Sequence, residues 1–293
     1  MQVLTQSLGE RYENRETMNK ILVKKTVAES TSLFVVEAPE IARKAKPGQF
    51  VILRVVEEGE RFPLTIADFD RAAGTITLVS LSIGASTMIL ESLNEGDSIL
   101  DLAGPLGTPT HIEKVGEVVC VGGGVGIAAI HPVARGFKEA GNHVISIIGA
   151  KGRSKLLWED KMAAASTELI VTTDDGSVGR QGFVTQRLQE LIDAGRKIGL
   201  VFAAGPAIMM KMVATVTQPC KIKTIVSLNP VMIDGTGMCG GCRVEVGGVQ
   251  KFTCVDGPDF DAHLVNFDLL LARLSAYKDQ EQVTRCKCQK KTA

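Results

Sequence analysis

The sequence has no surplus charge of either sign. Its 33 Lys and Arg balance its 33 Asp and Glu, so no net field gathers nucleic acid or acidic lipid, and neither partner is expected. It also has no apolar run approaching the roughly 18 residues of a membrane-spanning helix. The opening MQVLTQSLGERYENRET is too polar for a secretory signal, so a cytoplasmic protein without membrane insertion is expected. The four histidines are scattered, which leaves no His metal site and no catalytic triad. Internal repeats and low-complexity tracts are missing too, and only the basic tail CKCQKKTA reads as unstructured. What is present is 293 residues, 45% of them apolar, enough for two or three domains with ordinary cores.

The pattern divides the chain. Residues 1–17 lack apolar periodicity and read as an extension without an assigned role. From 18 to 112, short β-runs (LFVVEA, QFVILRVV, TITLVSLS, DSILDL) are broken by Pro, Gly and Asp, as in a small antiparallel barrel. From 113 to 225, buried-strand runs (EVVCVGG, HVISIIGA, ELIVTT, IGLVFAAG) alternate with helical spacing, which specifies a parallel sheet covered by helices on both faces. Residues 226–293 begin as a Gly- and Cys-rich loop reaching to about Pro258, followed by the amphipathic stretch AHLVNFDLLLARLSAYKDQ. The expected fold class is therefore all-β plus α/β with a small C-terminal module.

Six of seven cysteines fall between Cys220 and Cys288, a clustering that favours metal ligation over a disulfide framework. Asp234-Gly-Thr-Gly-Met-Cys239-Gly-Gly-Cys242, with Cys254 after eleven further residues, reads D-x4-C-x2-C-x11-C. This is the plant-type spacing of a [2Fe-2S] cluster with Asp234 in the first ligand's place. Gly235, Gly237, Gly240 and Gly241 supply the positive φ angles and close backbone approach that such a loop needs. A zinc staple of three thiolates and one carboxylate, or inert buried thiols, fit the same residues less fully. Cys286 and Cys288 read as a free tail, and Cys120 and Cys220 as ordinary buried or partly buried thiols.

Gly122-Gly123-Gly124-Val125-Gly126 follows a strand and opens a helix, the context in which bare amides and a helix N-terminus meet a pyrophosphate. The acidic residue expected about 20 residues on for a ribose hydroxyl is replaced by Lys151-Gly152-Arg153, which leaves NAD versus NADP open. Asp174-Asp175-Gly-Ser and Gly205-Pro206 sit where later strands of this sheet end. In the barrel, Arg61-Phe-Pro63-Leu64-Thr65, Gly84-Ala-Ser86-Thr87 and Gly104-Pro-Leu-Gly offer an arginine fork, small hydroxyls and a helix start. Taken singly, each reads more readily as a surface ion pair, an N-cap or a turn, and only their order raises them.

In this order the motifs resemble the ferredoxin-NADP reductase superfamily, and more closely its branch containing the electron-transfer subunit of dihydroorotate dehydrogenase, over about Met18 to Lys278. Asp234 departs from that branch's four cysteines; in this it resembles the small subunits of NADH-dependent reduced ferredoxin:NADP oxidoreductases, also known as sulfide dehydrogenase subunits. The resemblance implies that Arg61, Pro63, Leu64 and Thr65 contact FAD, Thr65 near the flavin. Gly84, Ser86 and Thr87 hold its pyrophosphate, and Gly104 lies at the same cofactor. It implies NAD(H) on Gly122, Gly123, Gly124, Val125, Gly126, Asp174, Asp175, Gly205 and Pro206. Many members carry Cys where this chain has Ala204. It further implies a larger, glutamate-synthase-like partner subunit with its own FAD and [4Fe-4S] clusters. That subunit serves ferredoxin, while this chain carries the other electron through its [2Fe-2S] cluster and FAD to NAD in flavin-based bifurcation. The alternatives are the electron-transfer subunit of an NAD-linked dihydroorotate dehydrogenase and, in a different class, a non-catalytic zinc-stapled nucleotide-binding module.

Overall fold

The computed structural model describes residues 19–277 together with 280 and 281. The N-terminal extension and the Cys286-Lys-Cys288 tail lie outside the described residues.

Alternating apolar residues build the first sheet. Its elements are β1 (Ile21–Ala28), β2 (Thr31–Glu37), α1 (Pro39–Lys44), β3 (Phe50–Arg54), β4 (Phe62–Asp70), β5 (Thr75–Leu81), α2 (Ala85–Ser92) and β6 (Asp101–Leu106). The strands run antiparallel in the order β1-β2-β5-β4-β3-β6. Inward-facing Phe34, Val36, Val51, Leu53, Ile66, Ile76 and Leu78 meet Leu90 of α2 in one core, each full burial contributing about 1.5–3 kcal/mol. The expected barrel is incomplete as a ladder. The sheet's two ends meet through one isolated bridge, Lys20 to Ser98, with flanking bonds from the Ile21 amide to the Asp97 carbonyl (2.8 Å) and from the Ile99 amide to the Asn19 carbonyl (3.1 Å). DSILDL was expected as one strand; only its last two residues enter β6, because residues 97–100 make this closing contact instead.

The second sheet follows with β7 (Glu117–Gly123), α3 (Gly126–Glu139), β8 (His143–Ala150), α4 (Glu159–Ala165), β9 (Glu168–Thr173), β10 (Arg180–Gln181), α5 (Val184–Asp193), β11 (Ile198–Ala204), α6 (Ala207–Thr217) and β12 (Thr224–Ser227). These strands are parallel in the order β10-β9-β8-β7-β11-β12. Residue alternation assigns its two faces. Val118 and Cys120 of β7 pack with α3 and α4, whereas Val119 and Val121 pack with α5 and α6. The chain reverses its direction of growth between β7 and β11, a topological switch point where open α/β sheets bind ligands.

Beyond β12 come β13 (Arg243–Val246), β14 (Val249–Phe252), α7 (Thr253–Asp256), β15 (Asp259–Asp261) and α8 (Phe267–Ser275). Two expectations change here. The segment read as loop contains the β13–β14 hairpin, turned by Gly247 and Gly248 at φ 60° and 75°, the two-residue geometry that matches strand twist. The terminal helix starts at Phe267, not near Ala262, because Asn266 caps it by accepting the Leu269 amide (3.0 Å) while the Ala262 amide is bonded to Thr224. Nor does this segment stand apart: β15 adds antiparallel to β12, and Phe267 and Leu270 of α8 enter the core beneath α6.

Candidate functional site

The carboxyl ends of the parallel strands lie side by side. Gly122 pairs with Ala204, Gly123 with Gly149 and Ala150 with Thr173. The Gly122–Gly126 turn, the Asp174–Asp175 turn, the Gly205–Pro206 turn and the Lys151–Arg153 loop therefore form one rim. Close packing dictates small residues here. A Cβ on Gly126 would stand 2.2 Å from the Ala204 carbonyl oxygen, and one on Gly122 would stand 3.0 Å from the Ile127 Cα. Gly124 has φ 55° and donates its amide to the Gly149 carbonyl (2.8 Å). Gly205, at φ 153°, lies against the Gly123 backbone. The turn thus presents Val125 and the first amides of α3, a fourteen-residue helix, toward the rim, where the helix dipole favours an anion.

The acidic turn has a local task. Asp175 accepts the Ser177 amide (2.9 Å), and the Ser177 hydroxyl accepts the Arg153 amide (2.8 Å). The Ser177 bonds hold the Asp175 carboxyl below the usual carboxylate range. Asp174 is exposed, and its amide donates to the Ala150 carbonyl (3.1 Å). Asp175 therefore ties two rim loops together, a structural duty that its turn signature already carried.

On the first sheet, β4 pairs with β3 so that Thr65 lies opposite Phe50, Leu64 opposite Val51 and Pro63 opposite Ile52. Arg61 is exposed just before β4. Gly84 caps α2; the Thr87 hydroxyl accepts the Gly84 amide (3.0 Å) and donates to the Gly84 carbonyl (2.9 Å). Thr87 is thus a cap residue, and the hydroxyl of half-buried Ser86 donates to Glu60 over a long 3.5 Å. Gly104 lets β6 approach β3, since a Cβ there would meet the Val51 side chain at 2.7 Å.

Cys242 and Cys254 pack on the Phe50–Ile52 face of β3. Cys242 precedes the β13–β14 hairpin and Cys254 follows it, so the eleven-residue spacing closes on itself and sets the two sulfurs 3.2 Å apart. Both are buried with Phe50, Ile52 and Met232. Burial, with Cys242 adjacent, pushes the Cys254 thiol up to about 12. Cys239 is exposed. Backbone amides point at sulfur, Gly241 to Cys239 at 3.4 Å and Cys254 to Cys242 at 3.5 Å. Asp234 accepts the amides of Thr236 (3.0 Å), Met238 (3.1 Å) and Cys239 (2.8 Å). These bonds, that from Thr236 first, hold its carboxyl below the usual range. Among the described residues no three His, Cys, Asp or Glu groups stand together as a ready-made metal cage. Three soft thiols on a loop rich in inward amides nevertheless fit an iron-sulfur cluster in donor type.

The sequence reading did not single out Phe50 and Ile52, which join the thiols to the strand bearing Thr65, or the Thr110–Asp259 pair, in which the Thr110 hydroxyl donates to Asp259 at 2.6 Å. No local pattern announces a contact across 149 residues. Cys220, expected at least partly buried, is exposed beyond the end of α6.

Known proteins match this arrangement. The iron-sulfur cluster binding domain of dihydroorotate dehydrogenase B matches residues 229–266. A Thermotoga maritima homolog of the dihydroorotate dehydrogenase B (NAD(+)) electron transfer subunit is 45% identical over 267 residues, 91% of this chain and 94% of that protein. The corresponding subunit of Desulforamulus reducens is 32% identical, over 82% of this chain and 94% of its own. A chain from the structure of an NADH-dependent reduced ferredoxin-NADP oxidoreductase, a subject of flavin-based electron bifurcation, superposes with a TM-score of 0.88 at 42% identity, covering 92% of this chain and 98% of that one. With these likenesses over nearly its full length, and with paired thiols set against a ferredoxin-reductase-like pair of sheets, the chain belongs to the family of dihydroorotate dehydrogenase B electron-transfer subunits and their homologues.

Proposed function

We propose that this chain moves electrons between a [2Fe-2S] cluster, FAD and NAD(H), as the NAD-side branch of a bifurcating NADH-dependent ferredoxin:NADP oxidoreductase. The observation that carries the reading is the position of β3, with Phe50 and Ile52 packed on Cys242 and Cys254 while the same strand pairs with Pro63–Thr65. Bound there, FAD would exchange electron pairs with nicotinamide and single electrons with the cluster. In this reading Cys239, Cys242 and Cys254 hold the metal, with Asp234 turning from its amides to serve as fourth ligand. Arg61 and the α2 amides receive the FAD phosphates, and Pro63, Leu64 and Thr65 line the isoalloxazine. Gly122–Gly126, Gly205 and Pro206 bring NAD(H) to the rim. Ala204 offers no thiol to the nicotinamide. A larger flavin and [4Fe-4S] subunit of glutamate-synthase-like type is the proposed partner, ferredoxin being served through it. Strong likeness to the bifurcating enzyme's chain supports this choice.

A second reading, service to a dihydroorotate-oxidising partner, is favoured by the names of the relatives. Purification of the native complex separates the two. The proposed role requires NADH-dependent dye reduction by the isolated chain and ferredoxin-coupled transhydrogenation only with the large subunit. Dihydroorotate-dependent NAD reduction by the purified complex would instead establish the second.

A further inference from the structure

A cavity of about 470 Å³ opens at the opposite end of β4 from the proposed flavin residues, between the β4–β5 hairpin and the far half of α3. At the rise of an extended strand its lining residues Asp68 and Arg71 lie roughly 10 and 20 Å along the chain from Thr65. Asp68, Phe69, Asp70, Arg71, Thr77 and Arg135 line it. Two guanidinium groups share one ring there, Arg71 at 4.7 Å and Arg135 at 5.3 Å from the Phe69 centroid.

The hydrogen bonds decide what the cavity can accept. Arg135 Nη1 donates to Asp68 Oδ1 at 2.7 Å, and Lys161 lies 3.4 Å from Asp68 Oδ2, so this carboxylate is shared between two cations. Asp70 Oδ1 accepts the amides of Ala72 (2.8 Å) and Ala73 (2.9 Å), which ties that oxygen to its own turn. Glu139 reaches Arg135 only at 4.0 Å, from an exposed position. Among the described residues no carboxylate pairs with Arg71; its Nη2 donates to the Ala45 carbonyl at 2.8 Å. The remaining N–H groups of both guanidiniums line the cavity together with Thr77. Two planar forks side by side match the oxygens of a multiply charged oxyanion.

We propose that this cavity is a second anion site, distinct from the dinucleotide rim, that takes a small phosphate-bearing molecule between Arg71 and Arg135. Arg71 belongs to the first sheet's hairpin and Arg135 to a helix of the second domain, so the ligand clamps the two together. Trp158, the single tryptophan, reports on the site: Lys161 sits 4.6 Å from its ring while contacting Asp68.

The test is titration of the full chain with inorganic pyrophosphate at constant ionic strength, with excess FAD and NAD+ filling any site for their own pyrophosphates. Trp158 fluorescence and calorimetry are the readouts. Saturable binding is expected, weakened about tenfold or more in Arg71→Ala, with an intermediate loss in Arg71→Lys and unchanged NADH affinity in both variants. Thr77→Val, which leaves both charges in place, is expected to weaken binding by a smaller factor. Equal dissociation constants in wild type and Arg71→Ala, or no saturable binding to the wild type, would overturn the proposal.

Discussion

A single hydrogen-to-methyl change at the glycine turn separates backbone crowding from side-chain crowding. At Gly126 the added carbon meets the Ala204 carbonyl oxygen at 2.2 Å, and neither α3 nor β11 can yield without moving backbone. At Gly123 it meets the Met209 sulfur at 2.5 Å, the end of a flexible side chain that can swing away. Gly126→Ala is therefore expected to lose about 1–3 kcal/mol or more in denaturant unfolding, with NADH affinity falling alongside. Gly123→Ala should lose less than half as much; equal losses would contradict the distinction. Asp234 poses the complementary question of charge donation. A carboxylate donates less electron density to iron than a thiolate, so Asp234→Cys is expected to lower the cluster's reduction potential in a redox titration. An unchanged or higher potential would remove Asp234 from the ligand set. Both positions were legible in the sequence, Gly126 through its strand–turn–helix context and Asp234 through its spacing. The amides now bonded to Asp234 were not, because they depend on how the loop folds back.

Elements join the three parts of the chain through contacts that local pattern does not reveal. Gly247-Gly248 between RVEV and VQKF is a hairpin signal, and it alone explains why eleven residues bring Cys242 and Cys254 together. The strands of both sheets could be read because apolar periodicity follows directly from burial. The pairing of β15 with β12 could not, since three residues of mixed polarity become a strand only when an edge is offered to them. Asp259 on β15 carries a measurable consequence. Its Oδ2 accepts the Thr110 hydroxyl, and burial, against the opposing pull of Thr110 and Ser227, raises the carboxyl to about 6. The folded state then holds this proton more tightly than the unfolded chain, where the ordinary value is 3.8. The stabilisation is complete below about pH 4 and is lost as pH rises toward 6, by up to about 3 kcal/mol. Asp259→Asn should remove this fall, so the stability difference between variant and wild type is expected to move in the variant's favour from pH 4 to 6.5 in urea unfolding. A difference that stays flat with pH would show that Asp259 is charged and solvated in the native protein.

For the molecule as a whole, the account depends on a chain of neighbours: rim, flavin strand, β3 and thiols, in that order across the two sheets. Among the described residues no helix is long and apolar enough to cross a membrane. The motif order in the sequence already implied the ferredoxin-reductase-like arrangement. What it did not disclose was that one strand contacts both the buried thiols and the Pro63–Thr65 segment, since Phe50 and Ile52 are ordinary core residues until their neighbours are known. The most direct measurement is an anaerobic NADH titration of the intact chain, following the flavin and cluster absorption bands and the electron paramagnetic resonance of the reduced cluster. The account predicts about two irons and two sulfides per chain and reduction of flavin and cluster together by NADH. In Cys254→Ala the cluster signal should be lost while flavin reduction remains. A wild-type chain whose flavin is reduced by NADH while its iron stays oxidised, or which holds no iron, would contradict the account.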